Sequence, residues 1–147
     1  TSFQRKIGDL LIELCQNCNE EFKGLGVIYY DDLTKLPYIG LHECKLPKNI
    51  ANLPFTKTLL DISKNSSIYH DGFHFVDSNS LKITHISQYI SPPLDVSEYS
   101  KILNIIPCGA REMTALLTSM IDGIICVGLI SSNKTIKIFK NGLNIYK

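Results

Sequence analysis

The stretch SIYHDGFHFVD, Ser67 to Asp77, governs how the rest of the chain reads. Asp71-Gly72 is a turn-forming pair, and Gly72 opens an alternating apolar run. Alternation of this kind predicts a strand with one face toward a core. The run continues past a polar turn at Asp77–Ser80 into LKITHIS, so DGFHFVDSNSLKITHIS reads as two strands around a turn. His70 and His74 are four apart, which on an extended segment places both on one face. With Asp71 or Asp77 they suggest a metal site, against the plainer reading of two histidines at a sheet edge.

Downstream, ISPPLD is a loop, and Asp95 with Glu98 form a capping pair for a short helix through Leu103. GAREMTALLTSMID places Met113, Leu116, Leu117, Met120 and Ile121 on one helical face. GIICVGLI is almost continuously apolar, which predicts a strand buried on both faces. SSNK is a turn, TIKIFK alternates as a hairpin strand, and Asn141-Gly142 begins a further turn. Upstream, Phe3, Ile7, Leu10, Leu11, Leu14, Cys18 and Phe22 recur at helical spacing, predicting an amphipathic helix over residues 2–22 that ends at Gly24 and Gly26. LGVIYY reads as a buried strand, LPYIGLHECKL as a second strand returning after the DDLTK turn, and FTKTLLDISKN as a helix of about three turns. Helices mixed with paired strands define an α/β domain with a mixed sheet.

The chain has 147 residues, 44% of them hydrophobic, and a formal net charge of +1. That supports a single domain over residues 1–147 with a sizeable core. No basic stripe suits a nucleic-acid groove, and no apolar run is long enough to span a membrane. Five scattered cysteines do not form a disulfide framework and point to a reducing, cytoplasmic setting. A first residue that is Thr1 rather than Met fits a domain cut from a longer protein, with a fused effector domain outside this chain.

Two groups carry candidate chemistry besides the histidines. Cys15 and Cys18, followed by His42 and Cys44, have residue types suited to zinc. The two cysteines lie along the apolar side of the first helix, however, and the favoured expectation is core residues and no bound metal. The helix opening at Gly109-Ala110 offers free N–H groups and a positive dipole end to an anion. Glu112 suits that end electrostatically, whereas Arg111 works against the dipole. A residue placed against its local preference is a candidate ligand group, the alternative for Arg111 being an ion pair with a nearby acid.

Together the two stretches resemble the diadenylate cyclase domain of bacterial DNA-integrity-scanning proteins and membrane-linked cyclases. His70, Asp71 and Gly72 match its His-Asp-Gly-Ala segment. Gly109, Ala110, Arg111 and Ala115 match its second motif, Gly-Thr/Ala-Arg-His-Arg-Ala-Ala, and Ser119 and Asp122 resemble the end of the family's helix. The likeness runs over nearly the whole chain from about Gly24. It implies a central mixed β-sheet flanked by helices on both faces. It also implies two domains meeting face to face, each with one ATP and a magnesium or manganese ion. In that arrangement each 3′-hydroxyl attacks the other ATP's α-phosphate to give cyclic di-AMP. Asp71 would serve the hydroxyl and the metal, and Arg111 would hold phosphate.

Three departures bear on activity. Phe73 stands where the family has a small residue, Glu112-Met113 where it has His-Arg, and Ser132-Asn133 where it has an acidic pair. Phosphoryl transfer depends on neutralising spread negative charge, and a carboxylate at Glu112 would oppose a highly charged ligand. The expected ligand set is Asp71, Gly72, Phe73, Gly109, Ala110, Arg111 and Glu112. The expected function is a catalytically degenerate module that binds or senses an adenine nucleotide or related small ligand, with no certain cofactor. The alternatives are an active diadenylate cyclase, in which Asp71 is catalytic, and a structural relic with Phe73 filling the pocket.

Overall fold

The computed structural model describes residues 2–17, 22, 24–40, 58–59, 72–92 and 109–146. Helix α1 (Ser2–Asn17) leads into strands β1 (Leu25–Tyr30) and β2 (Tyr38–Gly40). Strands β3 (Phe73–Asp77) and β4 (Ile83–Ile90) follow, then helix α2 (Ala110–Thr118) and strands β5 (Ile124–Ile130), β6 (Ile136–Lys140) and β7 (Leu143–Asn144). The seven strands form one sheet in the order β2-β4-β3-β1-β5-β6-β7. It is mixed, because β1 and β3 run parallel while every other neighbouring pair is antiparallel. The expected α/β class with a mixed sheet is therefore present.

The core divides into two clusters, because alternate strand residues point to opposite faces. Val27, Tyr29, Val76, Cys126 and Ile138 join Ile7, Leu11 and Leu14 of α1 in one cluster. Ile28, Phe75, Val127 and Phe139 join Ala115 and Leu116 of α2 in the other. Ile7, Leu11 and Leu14 recur at the helical repeat and are almost fully buried, each contributing about 1.5–3 kcal/mol. Leu11 seats on β5 where Gly128 lacks a side chain: a Cβ there would lie 3.1 Å from Leu11 Cδ1.

The turns follow their sequence chemistry. Asn141 and Gly142 both have positive φ, 51° and 78°, in a two-residue connection between Lys140 and Leu143, as a type I′ hairpin requires. Asp77 Oδ1 accepts from the Asn79 amide at 2.8 Å and so closes the β3–β4 turn. The end of α2 is tied to the β6–β7 turn by Ser119. Its Oγ donates to the Leu116 carbonyl at 2.6 Å and accepts from the Gly142 amide at 2.9 Å. Asp122, by contrast, is exposed and pairs with Lys35 at 3.2 Å.

The structure corrects several expectations. Helix α1 is assigned over Ser2–Asn17, and Phe22 is a bridge residue rather than a helical one. Strand β2 does not return alongside β1 but pairs with β4 at the edge of the sheet, Ile39 opposite Tyr89. His74 is no edge residue: β3 lies inside the sheet between β4 and β1, and His74 is 1% exposed. Thr58 and Leu59 are helical and buried, while the rest of FTKTLLDISKN and the helix through Leu103 lie outside the described residues. No helix among the described residues is long and apolar enough to cross a membrane.

Candidate functional site

Two glycines at the start of β1, one just before it and one within it, organise the candidate site. Gly24, immediately before β1, and Gly26 within it flank Leu25. A Cβ on Gly26 would lie 2.5 Å from the Phe73 ring, so the absent side chain is what lets that ring lie on β1. A Cβ on Gly24 would lie 2.6 Å from Arg111 Nη1 and 3.1 Å from the Ile130 carbonyl oxygen, and Gly24 has φ +110°. The two family-like segments, at the head of β3 and in the first turn of α2, thus meet on one short piece of β1.

Around this point lies a cleft of about 320 Å³ lined by Gly109, Arg111, Glu112, Leu129, Ser131 and Ser132. Helix α2 and strand β5 run antiparallel around the turn at 119–123, which sets the first turn of the helix beside the last residues of the strand. Gly109 is the N-cap and has no side-chain cap; its carbonyl accepts the first helical bond from the Met113 amide at 3.0 Å. A Cβ on Gly109 would meet nothing within 4 Å, and its φ is −71°. No contact among the described residues therefore demands a glycine there. Ala110 is exposed and Arg111 half-buried.

Glu112 is not a free carboxylate at the helix start. It forms an ion pair with Lys137 of β6, and its side chain is only 17% exposed. Lys137 stands opposite Leu129 across the β5–β6 ladder, so its ammonium reaches Glu112 from beside the cleft. Met113 packs against the α2-side apolar cluster. Ser132 lines the cleft, whereas Asn133 is occupied within the turn, accepting from Ser131 Oγ and from the Thr135 amide.

Gly72 has φ +82° and so uses a conformation that favours glycine. Phe73 is 5% exposed. His74 faces away from both. Its Nδ1 accepts from the Ser87 amide at 3.1 Å, while Nε2 is buried without a hydrogen-bond partner among the described residues. Ser87 has φ +53° within β4, where the β3–β4 register shifts between Phe73 and Phe75. His74 thus supplies the acceptor for an amide that this bulge withdraws from the ladder. Burial, and then the charge of Arg111, push the His74 pKa down to about 3.

His70, Asp71, Cys18, His42 and Cys44 lie outside the described residues. Cys15 is half-buried and donates weakly from Sγ to the Lys134 carbonyl at 3.7 Å. Among the described residues no three His, Cys, Asp or Glu side chains gather as metal ligands would. A larger cleft, about 400 Å³, opens between α1 and the β3–β4 turn, next to Tyr29 and Ser78. It holds none of the motif residues and belongs to the other end of the strands.

Sequence reading missed Gly24, Gly26 and Lys137. The available signal was two glycines spaced by two in a strand otherwise apolar, which marks close approach by another group. Replacing Gly24 with Ala is expected to destabilise the fold by roughly 1–3 kcal/mol through backbone strain and to displace the Arg111 guanidinium. Thermal melting reads the destabilisation, and an unchanged melting temperature would contradict it.

No protein-family model and no curated protein matches this sequence. Among solved structures, the chain is similar to a double mutant of DacA from Staphylococcus aureus. The TM-score is 0.59 at 14% identity, covering 98% of this chain and 87% of that one. Likeness at that identity is likeness of fold. It supports the diadenylate-cyclase-like fold to which the motif residues pointed.

Proposed function

We propose that this chain is a diadenylate-cyclase-like domain that binds a nucleotide or related ligand and no longer cyclises it. The sheet with α1 and α2 on opposite faces belongs to the same reading, as do two copies meeting face to face and a fused domain responding to the ligand. The observation that carries the proposal is the seating of Phe73 on Gly26 and Arg111 beside Gly24, which brings both motif segments to one end of β1. A fold like that of DacA adds to it.

Loss of turnover follows from what occupies the family's phosphate-binding positions. Met113 is part of an apolar cluster and Glu112 is held by Lys137, so neither donates to phosphate. Two lost charge-assisted contacts at about 1.5–3 kcal/mol each amount to roughly a hundred- to ten-thousandfold in rate. The one carboxylate at the described part of the site is already paired, so these residues do not fit a divalent ion.

The expected result is saturable binding of an adenine nucleotide with no cyclic di-AMP formed. A thermal-shift panel of mono-, tri- and cyclic dinucleotides, with and without manganese, reads the binding. Chromatography after overnight incubation with ATP reads the product. Cyclic di-AMP that appears with this protein and disappears with Asp71→Ala would establish the active cyclase instead.

A further inference from the structure

We propose that the cleft between α1 and the β3–β4 turn is a second ligand site, one that takes a small amphipathic carboxylate: an apolar body with a single acidic head. It stands apart from the nucleotide-binding reading. The motif residues gather where β1 and β3 begin, at Gly24, Gly26 and Phe73. This cleft lies where the same two strands end. β1 and β3 are parallel neighbours whose last registered pair is Tyr30 and Asp77, and the cleft takes in Tyr29 and Ser78. Open α/β sheets bind ligands in the crevice outside the carboxyl ends of their parallel strands. The volume here, about 400 Å³, is within the range of small-molecule sites.

The lining selects for that ligand class. Ile7 and Leu10 of α1, Tyr29 of β1 and Leu81 of the turn supply apolar surface, and Lys6 supplies a cation. No Asp or Glu among the described residues lines the cleft. The acids at the ends of β1 and β3 are held by Asn79: Asp31 accepts from its Nδ2 at 3.4 Å, and Asp77 from its amide at 2.8 Å. Asp9, one turn along α1 from Lys6, is exposed. Lys6 is exposed as well, so its ammonium can meet an acid at the mouth while its methylene stem lies along apolar surface. Leu81 is the residue that most needs a reason. It has φ +56°, a conformation that ordinarily falls to glycine, asparagine or aspartate. It remains 46% exposed, so burial within the fold offsets only part of that cost. A leucine set against its local preference, left half out of the core and on the wall of a cleft, marks a ligand contact.

The test follows backbone amide shifts by nuclear magnetic resonance while octanoate or octylammonium, the same chain with opposite head charge, is titrated into the protein. The proteins are wild type, Lys6→Met and Leu81→Asn, each also melted thermally. Octanoate should shift the amides of Ile7, Leu10, Ser78 and Leu81 saturably, and octylammonium should bind about tenfold more weakly. Lys6→Met should weaken octanoate by roughly threefold, the scale of an exposed ion pair. Leu81→Asn should melt at the same temperature or higher, because asparagine tolerates positive φ, and should weaken octanoate by roughly fivefold through lost apolar contact. Octylammonium binding as tightly as octanoate overturns the carboxylate assignment. Leu81→Asn melting earlier with octanoate affinity unchanged shows that this leucine serves the turn and overturns its role. No saturable shift of the cleft amides at millimolar octanoate overturns the site. None of these outcomes bears on nucleotide binding at Arg111, which lies at the other end of β1.

Discussion

Replacing Phe73 with Ala is expected to cost about 3–5 kcal/mol of stability, the range for emptying a phenylalanine site in a close-packed core. For a domain of this size that is a fall of roughly 10–15 °C in melting temperature. The ring is 5% exposed and lies directly on Gly26, and two strands of the sheet hold the walls of the space apart, so collapse into the void is limited. The substitution also restores the small residue found in the cyclase-like motif. On the proposed nucleotide-binding reading, stability and ligand affinity should move in opposite directions: the protein melts earlier, and the ligand gains the space that the ring vacates. A second substitution makes the contact itself measurable. Gly26→Ala alone should be strongly destabilising, since its methyl group would meet the Phe73 ring at 2.5 Å. In the Phe73→Ala background the same change should cost little or partly refill the void. The two effects should differ from additivity by 1 kcal/mol or more, as expected for residues in direct contact. Urea unfolding of the four proteins decides it, and additive losses would show that the ring does not rest on β1.

The elements most legible in the sequence are those specified by local chemistry. The apolar run of β5, the alternation in β3, the period of α2 and the positive-φ pair at Asn141-Gly142 each carry their own signal. What sequence reading could not supply depends on partners distant along the chain. Strand β2 follows β1 closely, yet its edge pairs with β4, and nothing in YIG encodes that choice. The bulge at Ser87 is held by a histidine thirteen residues earlier, and serine gives no hint of positive φ as glycine would. Gly24 and Gly26 resemble a helix stop when read beside α1; only the positions of Arg111 and Phe73 show that they are the floor of the site. Glu112 shows the same limit on the functional side. Its place at a helix start suggests a carboxylate facing the ligand, and the lysine that binds it comes from β6.

Acid is expected to unfold this domain in a window set by His74. The imidazole is 1% exposed, its Nδ1 is used as an acceptor by the Ser87 amide, and the nearby charge of Arg111 opposes a second cation. All three favour the neutral ring, so the folded-state pKa falls to about 3 while the unfolded chain keeps a value near 6.5. Between these values the unfolded state binds the extra proton. The contribution is therefore fully present above about pH 6.5 and is lost progressively as pH falls toward 3, reaching roughly 5 kcal/mol at the bottom of the window. His85 adds in the same direction, because burial lowers its pKa as well. His74→Asn separates the two. Asparagine can still offer an oxygen to the Ser87 amide but does not titrate, so the variant should be less stable at pH 7, where it leaves a gap. Between pH 6 and 4 it should lose stability about 1.4 kcal/mol per pH unit less steeply than wild type. Urea denaturation at pH 7, 6, 5 and 4 measures both slopes. Parallel curves for the two proteins would mean that His74 is already protonated in the folded state. In that case the Ser87 amide could not be donating to Nδ1, and the bulge in β4 would need a different support.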